Sequence, residues 1–117
     1  PEPIPLNISG EYLSDEIWKS VRNVLRNDFG KLETESEQEG LIRTSWQYPV
    51  TGRMTKCYRC RLIVQFSEDR YSLTLLPEAE FQQKALLGIY RWWVSGEDST
   101  FGNEYHNKLN KMIGKIP

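Results

Sequence analysis

The chain has 117 residues, 38% of them hydrophobic and 12% aromatic, with a formal net charge of −1. That length builds one domain around one modest core, and the aromatic share lets a few large side chains fill it. A near-neutral charge argues against a general phosphate-binding protein, which needs a basic excess, and leaves room for a local basic patch. No apolar run reaches the ~18–20 residues that a membrane-spanning helix requires.

The first nine residues, PEPIPLNIS, place three prolines at alternate positions and then Ile4, Leu6 and Ile8. This alternation predicts an extended segment or edge strand, where proline is tolerated because no ladder N–H is needed. Asn7-Ile8-Ser9 matches the N-glycosylation triplet, a short and unspecific pattern.

The stretch LSDEIWKSVRNVLRNDFG predicts a helix. Ser14 is a suitable N-cap, Asp15 and Glu16 complement the positive end of the dipole, and Leu13 with Trp18 forms a hydrophobic staple. Ile17, Val21, Val24 and Leu25 make an apolar stripe, and Gly30 provides a left-handed stop.

KLETESEQEGLIRTSWQY predicts a hairpin turning at Gly40. On a regular first arm Leu32, Thr34 and Ser36 share one face, and Glu33, Glu35 and Glu37 share the other. On the second arm Ile42, Thr44, Trp46 and Tyr48 share one face, expected to lie against the helices. Pro49 and Gly52 then mark a connection.

CYRCRLIVQF and YSLTLL predict two further strands around the turn SEDR. Tyr58, Cys60, Leu62, Val64 and Phe66 alternate with Arg59, Arg61, Ile63 and Gln65, the pattern of an antiparallel sheet covered on one side. Cys57 and Cys60 form a C-x-x-C pair. On a regular strand their odd separation sends them to opposite faces, which favours two free thiols over a disulfide. A structural zinc site lacks a second such pair, and His106 is the single histidine.

Residues 78–95 fit two readings. Phe81, Ala85, Ile89 and Trp93 have helical spacing with Pro77 as a possible start, whereas Gly88 and the run IYRWWV argue for extended chain. The last segment, STFGNEYHNKLNKMIGKI, predicts a helix capped by Ser99 or Thr100, with Phe101, Tyr105, Leu109, Met112 and Ile113 as its stripe.

The fold class expected is therefore α+β: an antiparallel sheet of about four to five strands, one face covered by two helices, in the order β-α-β-β-β-β-α. It forms a single domain over 1–117, with an extended N-terminal segment at 1–9 and an insertion or loop at 84–99 before the last helix.

No catalytic, cofactor or metal site is expected. Glu33, Glu35 and Glu37 resemble the paired carboxylates of a glycosidase, but a solvated face or pairing with Arg43, Arg59 and Arg61 is the simpler reading. His106 has polar helical neighbours and no nucleophile motif, and no phosphate-binding glycine loop occurs. Tyr90, Arg91, Trp92 and Trp93 have the composition enriched at binding hot spots, so they are the first candidate contact residues, with Arg59 and Arg61 second. The same groups suit single-stranded nucleic acid as the alternative function, where bases stack on aromatics beside cations. A small hydrolase or metal-dependent enzyme is the third reading.

Two motifs carry a family resemblance: D-x-x-W-x-x-V at the helix start (Asp15, Trp18, Val21) and G-x-I-x-T-x-W on the strand (Gly40, Ile42, Thr44, Trp46). Over residues 4–83 and 100–115 the chain resembles the BamC-like domain of bacterial outer-membrane assembly lipoproteins and related small envelope lipoproteins. The resemblance implies a helix-on-sheet domain that binds a protein partner in the periplasm, tethered to the outer membrane by a lipid anchor preceding these residues. The segment KALLGIYRWWVSGEDS departs from that pattern.

Overall fold

The computed structural model describes residues 5–48, 59–84, 90–96 and 99–115, and for residues 81–84, 90–96 and 99 the backbone alone. The elements are β1 (Leu6–Ser9), α1 (Asp15–Phe29), β2 (Leu32–Ser36), β3 (Leu41–Thr44), β4 (Arg59–Phe66), β5 (Ser72–Lys84), β6 (Tyr90–Gly96) and α2 (Ser99–Gly114). The fold is α+β, with every strand pair antiparallel.

The strand order is β1-β5-β4-β3-β2, and β6 also pairs with β5. Strand β5 is long enough to serve two neighbours on one edge. Its first part pairs with β1 (Leu6↔Leu75) and its last part with β6 (Ala79↔Gly96). Pro77 sits between them and lies opposite Leu62. The Leu62 N–H turns away from β5, donating to Thr44 Oγ1 at 2.8 Å. Across such a pair the backbone of Pro77 also points away from β4, toward the other edge of β5, between the described pairings with β1 and β6. A proline costs no ladder bond there. In its described residues, 78–84 and 90–95, the open alternative thus resolves as strand rather than as a helix started by Pro77, and the segment read as an insertion contributes β6.

Helix α1 forms as its sequence dictates. Ser14 accepts from the Ile17 N–H at 3.4 Å, and Gly30, at φ 79°, donates back to the Arg26 carbonyl at 2.9 Å. Ile17, Trp18, Val21 and Leu25 are buried. Helix α2 starts at Ser99, so Ser99 and Thr100 lie in its first turn, and Phe101, Tyr105 and Leu109 are buried. Helix α1 packs on β2 and β3, and α2 on β1 and β5, both against the face carrying Ile42, Leu62, Val64, Leu73 and Leu75. Gly102 allows the close approach of α2: a Cβ there would meet Pro77 Cγ at 2.8 Å.

The core continues across both helices. Trp18 meets Phe66 edge-on at 5.2 Å, and Phe29 lies 5.3 Å from Tyr105 and 6.2 Å from Phe101. Arg70 closes the β4–β5 turn at φ 66°, an unusual conformation for a side chain that then reaches over Trp18 and Phe66 and donates to the Glu37 carbonyl at 2.7 Å.

A polar clasp joins the helices where α1 ends. Tyr105 Oη and Lys108 Nζ both donate to Asp28 Oδ2, at 2.9 and 2.6 Å. Burial pushes the Asp28 carboxyl up, but the hydrogen bonds from Lys108 and Tyr105 and the Lys108 charge outweigh it, leaving the group below its ordinary value. A carboxyl that releases its proton more easily when folded contributes stability above the unfolded value of ~3.9, lost as pH falls through the folded one. Asp28→Asn is therefore expected to lower stability at pH 7 by about 1–2 kcal/mol. The difference from the unsubstituted chain should shrink in denaturant titrations as pH drops below ~4; a gap that persists at pH 2 contradicts the clasp.

Candidate functional site

The face of the sheet away from the helices is built by residues that alternate with the core. On β4 these are Arg59, Arg61, Ile63 and Gln65; on β5 they are Thr74, Leu76, Glu78 and Glu80. Register sets Arg59 opposite Glu80 and Arg61 opposite Glu78. Each pair closes: Arg59 Nη2 lies 2.7 Å from Glu80 Oε1, and Arg61 Nε lies 2.6 Å from Glu78 Oε1. Arg61 also reaches Glu33 at 3.3 Å, and Arg43 lies 3.4 Å from the same carboxylate. Half-exposed pairs of this kind contribute little each, about 0–1 kcal/mol. Their effect here is orientation: the guanidiniums are held fixed along the strand.

Against them lies Trp46. The guanidinium carbons of Arg59 and Arg61 are each 4.3 Å from the centroid of its ring. This corrects the expectation that Trp46 joins Ile42 and Thr44 on the helix-covered face. Strand β3 pairs Ile42 with Val64 and Arg43 with Ile63, but Gln47 then pairs with Cys60. Between those pairs β3 advances by one residue more than β4, a bulge at Ser45–Trp46. The extra residue reverses the alternation. Thr44 stays buried, Gln47 turns inward to donate to the Asp28 carbonyl at 3.0 Å, and Trp46 goes to the open side. Tyr48 is exposed.

A second bulge corrects the acidic arm. Leu32 pairs with Thr44, but Thr34 pairs with Arg43, so one residue is added at Glu33. Glu33 and Thr34 both meet Arg43 on the open side, and Glu35 turns to α1, where Arg26 Nη2 lies 2.6 Å and Arg22 Nη1 3.8 Å away. Glu33 and Glu35 therefore do not face one another as a carboxylate pair. Each is neutralised by arginine, although Glu35 uses arginines that the sequence pattern does not point to.

Cys60 is fully buried and disulfide-bonded, which corrects the reading of free thiols. Cys57, and with it the geometry of the C-x-x-C pair, lies outside the described residues. His106 Nε2 lies 3.0 Å from the Asn7 carbonyl and so fastens α2 to β1. Among the described residues, no three His, Cys, Asp or Glu side chains gather as a metal-ligand set.

The first candidate contact residues, Tyr90, Arg91, Trp92 and Trp93, fall on the backbone of β6, with Trp93 opposite Gln82 and Trp92 opposite Gln83. Their side chains lie outside the described residues. The second choice, Arg59 and Arg61, is brought together with Trp46. Glu78 and Glu80 were missed, though the alternation that makes Ser72 and Thr74 outward-facing reaches them if it is carried through PEAE.

No family model and no solved structure matches the chain. It is similar to a glutamate–tRNA ligase of Lysinibacillus sphaericus, 29% identical over 114 residues; the match covers 88% of this chain and spans 23% of that enzyme's length.

The stacking of Trp46 on the arginines is measurable as an interaction energy. A double-mutant cycle of Trp46→Ala and Arg61→Ala is expected to give a favourable coupling of about 0.5–1 kcal/mol in chemical denaturation. Strictly additive losses contradict the contact.

Proposed function

We propose that the chain is a non-catalytic protein-interaction module of a bacterial cell-envelope protein, and that it meets its partner through the open face of the sheet. The observation that carries this reading is Trp46, half-buried on the open face beside paired charges and held by two fixed arginines. Tryptophan and arginine are the residues most enriched where binding energy concentrates, and a side chain already immobilised loses little entropy on binding. The β6 segment, with Tyr90, Arg91, Trp92 and Trp93, continues the same sheet beyond β5 and is the further contact segment of this proposal.

Placement in the envelope, with a lipid anchor to the outer membrane, draws support from the likeness to the BamC-like domain. The disulfide at Cys60 supports it too, because such bonds persist in oxidising compartments.

A module for single-stranded nucleic acid is the second reading. Trp46 beside Arg59 and Arg61 suits base stacking, and the similar ligase is named for tRNA. Against it, Arg43, Arg59 and Arg61 each have a carboxylate partner, which removes the free positive charge that phosphates require.

A photo-reactive side chain at Ile63, on the open face, tests the proposal against one at Asn23, on the exposed side of α1. In living cells, Ile63 is expected to cross-link to a discrete protein, Asn23 to give none, and the adduct to vanish with Trp46→Ala. Salt-sensitive binding of a single-stranded oligonucleotide, lost in Trp46→Ala, puts the second reading in its place. Absence of both kinds of binding overturns the open face as a contact surface.

A further inference from the structure

At the opposite side of the molecule a cleft of about 310 Å³ lies between the segment after β1 and the C-terminal end of α2. Its floor is apolar, formed by Ile8, Leu13 and Ile17, which are buried, and by Ile113. Its rim holds Glu11 and Tyr12 on one side and Gly114, the last residue of α2, on the other.

The rim is fixed in place. The Gly10 N–H donates to the Tyr71 carbonyl at 3.2 Å and the Leu13 N–H to the Arg70 carbonyl at 2.7 Å, so both ends of the segment are tied to the β4–β5 turn. Gly10 has φ 148°, a conformation that side-chain-bearing residues rarely adopt. Tyr12 is itself braced edge-on against Tyr71 at 5.6 Å, yet the two are 54% and 53% exposed. A braced pair of exposed tyrosines beside an apolar cleft is an unusual use of surface.

Among the described residues that line the cleft Glu11 carries the charge, while Lys111 and Lys115 stand at the same end of α2 without lining it. Among the described residues Glu11 has no ion pair or hydrogen bond, and none of those that line the cleft is Lys, Arg or His. The end of α2 adds the partial negative charge of its last carbonyls, and the tyrosine rings add the negative potential of their faces. An apolar floor under a carboxylate, a helix C-terminus and aromatic rings matches a long aliphatic stem that ends in a cation.

We propose that this cleft is a second binding site, which takes a lysine or arginine side chain of a partner polypeptide. The stem packs on Ile8, Ile17 and Ile113 while the charged head sits at Glu11 and Tyr12. The site is separate from the open sheet face and does not rest on that reading.

The test is an NMR titration of the labelled protein with Nα-acetyl-lysine-N-methylamide, beside the norleucine analogue, which keeps the stem and lacks the charge. The lysine probe is expected to give saturable shifts at the Gly10, Tyr12 and Gly114 amides. Its affinity should fall about 2- to 5-fold in Glu11→Gln and again in Tyr12→Ala. Both positions are exposed, so unchanged spectra elsewhere establish that the variants fold. Equal binding of the norleucine analogue, binding indifferent to Glu11→Gln, or no saturable shift at the three amides overturns the proposal.

Discussion

Between Arg43 and Gln47 one residue more stands on the β3 side of the ladder than on the β4 side, and both faces of the sheet depend on how that excess is absorbed. A β-strand alternates strictly, so an unabsorbed extra residue would carry every later side chain to the wrong face. The bulge at Ser45–Trp46 absorbs it within the chain between two inward residues, Thr44 and Gln47. Beyond Arg43↔Ile63 the regular pairing lapses, and the Leu62 N–H is satisfied by Thr44 Oγ1. This explains a fully buried threonine among aliphatic neighbours: its hydroxyl supplies an acceptor to a buried N–H, and leaving such a donor unpaired costs roughly 1–3 kcal/mol. The Ser45 hydroxyl donates to the Lys31 carbonyl, which ties the bulge to the start of β2.

The consequence is a division of labour between the two faces. The covered face is apolar and closed by α1 and α2, and the Asp28 clasp and the close contact at Gly102 fix how those helices lie. The open face gathers arginines and glutamates in register, so its charge cancels locally while its geometry stays fixed. The carboxylates that hold the arginines also quench them as phosphate ligands. The same arrangement leaves Trp46 as a large aromatic group on the open face, the surface proposed to meet a partner.

Much of the fold was legible in the sequence because helix signals are local. Ser14, the acidic first turn and Gly30 specify α1 without reference to anything distant, and the stripes of both helices are buried except at Val24, Met112 and Ile113, which are partly so. The alternation on β4 was equally plain. What stayed hidden depends on a partner strand. The bulges at Glu33 and at Ser45–Trp46 add residues whose effect is defined only against β3 and β4, so an uninterrupted alternation placed Trp46 inside and Glu35 beside Glu33. Residues 78–95 stayed ambiguous for a similar reason: Pro77 looks like a helix start until its place in β5, between the pairings with β1 and β6, is known. The cleft beside Tyr12 left no trace in the pattern at all, since a loop and the end of a distant helix create it.

Which face carries Trp46 decides whether the open side of the sheet can be a contact surface. The direct measurement is a set of nuclear Overhauser contacts from the Trp46 indole protons in solution. The structure predicts contacts to the side-chain protons of Arg59 and Arg61 and none to Val21 or Leu25 of α1. Contacts to those two core residues, with none to the arginines, would show an unbroken alternation through Ser45 and would remove the basis for the open-face site.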